Sequence, residues 1–248
     1  MHTTYMHELA RFVAQTKVVA TVAGVDEATL SALEQRRGYQ LPACYRAFLH
    51  TFGNTNTHSW FDGDYAAIDH FDETFEVIQD LIAEGSIPWL DDPLMLPFTQ
   101  HDGYVIYYLR RDDGDDPAVF CVISGDETTP AECSQLAPTF SIWLRDNAFA
   151  SIERRSWSDA YIHYIRQPDG TVEERSKLAI QRMQEYSKLY EHFSAQSYQT
   201  DIQNQHLTAP WDFASAWVAM FRQSDLYQRM QTLHMPIPFS WVRLTGEN

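Results

Sequence analysis

A chain of 248 residues, 44% hydrophobic and 14% aromatic, has enough apolar side chain for a packed core, so a folded globular protein and not disorder is the expectation. Its 34 acidic residues against 18 basic ones give a net charge of -16, which disfavours nucleic acid and anionic membrane as partners. No apolar run reaches the roughly 20 residues of a membrane-spanning helix, and Met1-His2-Thr3-Thr4-Tyr5 opens without the pattern of a secretory signal, so the expected location is the cytoplasm.

In chain order, the mixed segment from Met6 to Val19 carries no clear element, and the first helix signal is Asp26-Glu27 ahead of Leu30 and Leu33, closing near Gly38. A second helix begins at Pro42, with Tyr45, Phe48, Leu49 and Phe52 at i, i+3, i+4 and i+7 and Gly53 as its stop. A third runs from about Asp72 to Glu84, with Phe71, Phe75, Ile78 and Ile82 on one side. From Leu94 the period shortens. Leu94 to Phe98, Tyr104 to Leu109 and Ala118 to Ile123 read as strands, joined by His101-Asp102-Gly103 and by the Asp112 to Pro117 loop into an antiparallel meander. The third run is apolar throughout, as expected of a strand covered on both faces. Phe140, Trp143 and Leu144 then predict a closing helix.

The segregated helices and strands define an α+β fold, an antiparallel sheet of short strands flanked by helices, over residues 1–150. Residues 151–248 read as a helical extension packed on it, with one helix carrying Met183, Tyr186, Tyr190 and Phe193 and a last one carrying Phe213, Trp217, Met220, Phe221 and Tyr227. The polar stretch from Ser194 to Thr208 reads as a loop between them. The aromatic stripes of these helices are core within one chain or, in a homodimer, an isologous interface, so monomer and homodimer both stay open.

Charge is unevenly distributed. Between Trp60 and Glu132 there are 18 acids and only two basic residues, Arg110 and Arg111, so this segment holds the whole net charge and the remainder is balanced. Such a field either keeps the protein soluble or steers a basic protein partner toward it. The candidate partner-binding residues are Asp62, Asp64 and Tyr65, Asp69 and Asp72, Trp89 with Asp91 and Asp92, and Asp112, Asp113, Asp115 and Asp116, with Trp60, Tyr65 and Trp89 as aromatic anchors.

The order of several short motifs resembles the SUKH superfamily, also called Smi/Knr-like domains. Leu33-Glu34, Gly38, Leu41-Pro42, Tyr45 and Phe48-Leu49 look like its first two helices. Leu96-Pro97-Phe98, His101-Asp102-Gly103-Tyr104, Asp116-Pro117-Ala118-Val119 and Phe140 to Leu144 are similar to its later strands and closing helix. The likeness covers about Asp26 to Ala148 and departs from the family pattern at Gly53-Asn54-Thr55-Asn56 and in the C-terminal extension. The resemblance implies a cytosolic, non-catalytic domain that in bacteria is commonly the immunity protein of a toxin, often a nuclease, and in fungi a regulatory scaffold. The expected function is therefore neutralisation of a cognate toxin through the acidic surface, with an adaptor for an endogenous protein as the alternative.

Enzymatic readings find less support. Asp112, Asp113, Asp115 and Asp116 around Gly114 lack the spacing of a calcium loop. His58, Asp62, Asp64, Asp69 and His70 could ligate a metal in a metal-dependent enzyme, but no H-x-x-x-H or H-E-x-x-H spacing supports it. Nucleophile-elbow, Walker and dinucleotide motifs are missing. Cys44, Cys121 and Cys133 are odd in number and far apart, and are read as reduced thiols, Cys44 and Cys121 as core filler. No catalytic residue, metal or cofactor is assigned.

Overall fold

In a computed structural model of the chain, the described residues are 2–16, 21–54, 66–87, 90–125, 130–148, 150–151, 170–181, 184 and 222–232. They fall into two compact units, Met1–Ala10 with Val18–Ser151, and Arg11–Lys17 with Ile152–Asn248.

The chain opens with a helix the sequence reading did not anticipate, α1 (His2–Thr16), in which Met6, Leu9 and Val13 are buried at helical spacing. Helix α2 (Glu27–Arg37) starts where Asp26 accepts the Thr29 amide at 2.7 Å, and ends at Gly38, whose φ of 74° only glycine adopts without strain. Helix α3 (Ala43–Phe52) follows Pro42 and buries Tyr45, Phe48, Leu49 and Phe52. Segment 21–25 docks on its C-terminal end. Val25 N–H donates to the Leu49 carbonyl at 3.0 Å, and a Cβ on Gly24 would lie 1.7 Å from the His50 oxygen, so only glycine fits. Asn54, in the turn where the sequence departs from the family pattern, donates its side-chain amide to the Gly24 carbonyl at 2.9 Å. A 3-10 turn (Ile68–His70) leads into α4 (Phe71–Ala83).

Four strands then form one antiparallel meander, in the order β1 (Met95–His101), β2 (Val105–Arg110), β3 (Val119–Ile123), β4 (Glu132–Ala137). Asp102 and Gly103, both at positive φ (48° and 75°), make the tight β1–β2 turn. The fourth strand is an addition to the expected three. β4 is exposed at every position but Ala137, and an edge strand with no buried face carries no apolar alternation to read. On β3, Val119, Cys121 and Val122 are buried and Phe120 half-buried, as a strand covered on both faces requires, while Ile123 is 45% exposed.

The core lies on both faces of the sheet. Ile106, Tyr108 and Val122 pack with Ile78, Ile87, Leu90 and Met95 on the α4 side. On the other, Phe98 meets Phe140 at 5.3 Å, Trp143 at 5.1 Å and Tyr45 at 6.0 Å between ring centroids, which seats α3 and α5 (residues 140–148) against the strands. Phe140 also stands edge-on to Tyr45 and Phe48 at 5.5 Å, a favoured aromatic geometry.

In the second unit, α6 (residues 172–181) begins with a reciprocal cap in which the Thr171 amide donates to Glu174 at 2.8 Å and the Glu174 amide to Thr171 Oγ1 at 3.2 Å. Helix α7 (Asp225–Thr232) follows, with Tyr227 N–H donating to Ser224 Oγ at 3.2 Å. The helices expected to carry Tyr186, Tyr190, Phe193, Phe213, Trp217 and Phe221, and the loop from Ser194 to Thr208, lie outside the described residues.

Phe140→Ala removes a wholly buried ring shared by two helices and the sheet, and should lower unfolding free energy by about 3–5 kcal/mol. Ile123→Thr, at the exposed end of β3, should change it by about 0.5 kcal/mol or less. Denaturant unfolding of both variants checks the pair.

Candidate partner-binding surface

The acids of the charged segment do three different jobs. Some are tied to arginines. Asp72, in the first turn of α4, pairs with Arg36 at 2.9 Å and with Arg37, whose guanidinium also lies 4.1 Å over the Phe75 ring. Asp92 accepts Arg110 at 2.7 Å and the Leu94 amide at 2.9 Å, while Asp112 takes the other edge of the same guanidinium at 3.1 Å. The Leu94 amide, and after it Arg110, hold the Asp92 carboxyl below its ordinary range.

A second group is structural. Asp113 accepts the Ala118 amide at 3.0 Å and closes the β2–β3 loop. Asp116, half-buried, accepts the Ser141 amide at 3.0 Å and the Ser141 hydroxyl at 2.6 Å, so its carboxylate points into the fold. Asp115 offers its backbone carbonyl to the Cys44 amide at 2.8 Å and leaves its side chain exposed.

The third group faces solvent. Asp69, Glu73, Glu76 and Asp80 recur every three or four residues through the 3-10 turn and α4, and all are exposed while Phe71, Thr74 and Ile78 are buried. The helix therefore has an apolar inner face and an acidic outer one. His70 Nδ1 lies 2.9 Å from Glu73, the one pairing among the described residues that touches Glu73. Arg36, Arg37, Asp72, Phe75, Glu76, Gln79 and Asp80 line a groove of about 590 Å³ beside this stripe, in which two cations share the lining with three acids and Arg37 covers the Phe75 ring. Asp91 is exposed as well.

The sequence reading named Asp69 and Asp72 but missed Glu73, Glu76 and Asp80. Their spacing was the available signal, since acids at i, i+3 and i+4 share one helix face. Asp92 and Asp112 are brought together on Arg110, whereas Asp62, Asp64, Tyr65, Trp89, Trp60 and His58 lie outside the described residues. Among the described residues no helix is long and apolar enough to cross a membrane.

Residues 24–146 match the model of the SMI1 / KNR4 family (SUKH-1), in keeping with the resemblance of the motif order. No curated protein matches the chain.

Because Asp92 is ionised more readily folded than unfolded, its contribution to stability is present above the unfolded pKa near about 4 and is lost as pH falls through the lower folded value. In Arg110→Gln, the Asp92 pKa followed by NMR titration should rise above that of the parent yet stay below the ordinary value, since the Leu94 amide still donates to it.

Proposed function

From the premise that residues 24–146 are a domain of the SMI1 / KNR4 (SUKH-1) family, we propose that the chain binds a basic toxin protein and neutralises it by covering its active site. One observation carries this reading: Asp69, Glu73, Glu76 and Asp80 form an exposed acidic stripe along the 3-10 turn and α4. A stripe of one sign accelerates encounter with a basic surface, and because Arg37 already covers the Phe75 ring, the partner's cations are assigned to Glu73, Glu76 and Asp80 on the outer face of α4. A nuclease offers such a surface, because a cleft that holds a phosphate backbone is lined with cations.

The acids differ in the role proposed for them. Asp69, Glu73, Glu76, Asp80 and Asp91 are the steering set, joined by Asp115 at the loop between β2 and β3. Asp72, Asp92 and Asp112, each neutralised in part by arginine, orient the surface, and Asp113 and Asp116 maintain the fold beneath it. Asp62, Asp64, Tyr65 and Trp89 extend the set. The fold domain itself does the binding and no chemistry.

Capture of the partner from native lysate, followed by co-expression of its reading frame with and without this one, tests the proposal. The expected partner is basic and toxic alone, and co-expression restores growth. With that partner, Glu73→Gln/Glu76→Gln/Asp80→Asn should slow association at low salt by about tenfold or more while leaving thermal stability unchanged, and the difference should shrink as salt rises. A harmless partner would replace neutralisation with an adaptor role, and a toxin bound equally fast by the triple variant would move the contact off α4.

A further inference from the structure

Away from the acidic stripe, three side chains of different chemistry converge where α1, α3, the β2–β3 loop and α5 meet. His2 comes from the first turn of α1, Cys44 from the first turn of α3, and Asp116 from the end of the loop, and one ligand atom of each lies within 4.8 Å of the others. Cys44 is wholly buried, and His2 and Asp116 are half-buried.

We propose that His2, Cys44 and Asp116 are a binding site for a divalent transition metal of the zinc class. Thiolate, imidazole and carboxylate are the three donor types that zinc takes together, and the thiolate discriminates against calcium and magnesium. With metal bonds of about 2.0–2.3 Å, neighbouring donors in a tetrahedron stand roughly 3.3–3.8 Å apart, so the three atoms need close by only about 1 Å. Three protein donors leave a fourth position for water or for a group brought by a partner.

The surroundings are built to hold these donors. Ser141 donates both its amide and its hydroxyl to Asp116, at 3.0 and 2.6 Å, which fixes the carboxylate as outer-sphere partners fix metal ligands. The Ser141 carbonyl in turn accepts the Tyr5 hydroxyl at 2.7 Å, one turn along α1 from His2. The Cys44 amide donates to Asp115 at 2.8 Å, tying the start of α3 to the loop. Without metal, the Cys44 thiol donates to Asp116. A metal ion entering between them takes the place of the thiol proton, which leaves to solvent. A dication held by a thiolate, a carboxylate and a neutral imidazole is a neutral unit, which a half-buried pocket accommodates better than the lone carboxylate charge.

The test uses the full chain without an affinity tag, stripped with chelator and then titrated with Co2+. Binding should saturate at a single equivalent with a thiolate-to-cobalt charge-transfer band, Zn2+ should displace the cobalt, and either metal should raise Tm. Cys44→Ser should abolish the band and Cys133→Ser should retain it. His2→Gln, at a half-buried position outside the core, should weaken binding by tenfold or more, and Ser141→Ala by about tenfold. No saturable band, a band that follows Cys133, or unchanged affinity in His2→Gln would each overturn the site and leave the Cys44–Asp116 contact as an ordinary buried hydrogen bond.

Discussion

The ring of Phe140 sets the geometry on which the rest of the first unit depends. It stands edge-on to Tyr45 and Phe48 of α3 and to Phe98 of β1, so two helices and the sheet share one aromatic contact. Such contacts constrain angle as well as distance. The residues next to these rings then have little freedom. Cys44 precedes Tyr45 and Ser141 follows Phe140, so closing the aromatic cluster brings the start of α3 and the start of α5 together, and Asp116 fills the polar gap by bonding to both. The polar cluster at this junction is thus a consequence of how the core packs, with donors chosen for a position that packing had already defined.

A second constraint joins α2 to α3. The Glu34 carboxylate is buried, accepts the Leu41 amide at 3.0 Å and lies 3.4 Å from Arg46, whose other nitrogens reach Glu27. The Glu34 carbonyl meanwhile accepts Gly38 at 2.9 Å and Tyr39 at 3.3 Å. One residue therefore closes the helix with its backbone and sets the course of the next five residues with its side chain. A buried carboxylate that lost these donors would destabilise the fold by roughly 3–5 kcal/mol, which makes this turn intolerant of alternatives.

Much of this was legible in the sequence where a residue type has one physical use. Gly38 after a helical run, Asp102-Gly103 between two β-rich runs and the i, i+3, i+4, i+7 aromatics of α3 each admit one reading, and each element formed where expected. α1 was hidden because Thr3 and Thr4 are poor helix formers and no cap marks its start, although Met6, Leu9 and Val13 kept the spacing. β4 was hidden because pairing to β3 through its backbone asks nothing of its side chains. Of the surface, the charge was legible and its division was not. Sequence counts acids, but whether Asp72 meets Arg36 and Arg37, or Asp116 turns inward to Ser141, depends on residues 25–36 positions away.

That division bears on how so acidic a segment folds at all. Like charges gathered within about a Debye length oppose compaction, and the segment supplies only Arg110 and Arg111 of its own. Arg110 is spent between Asp92 and Asp112, and Arg111 lies 3.8 Å over the Tyr39 ring. Arg36 and Arg37 of α2 reach across to Asp72, so relief at the start of α4 comes from outside the segment. Glu76 and Asp80 form no ion pair among the described residues, although they share a groove with the same two arginines. The segment folds because Phe71, Thr74 and Ile78 bury the inner face of α4 whatever its outer face carries.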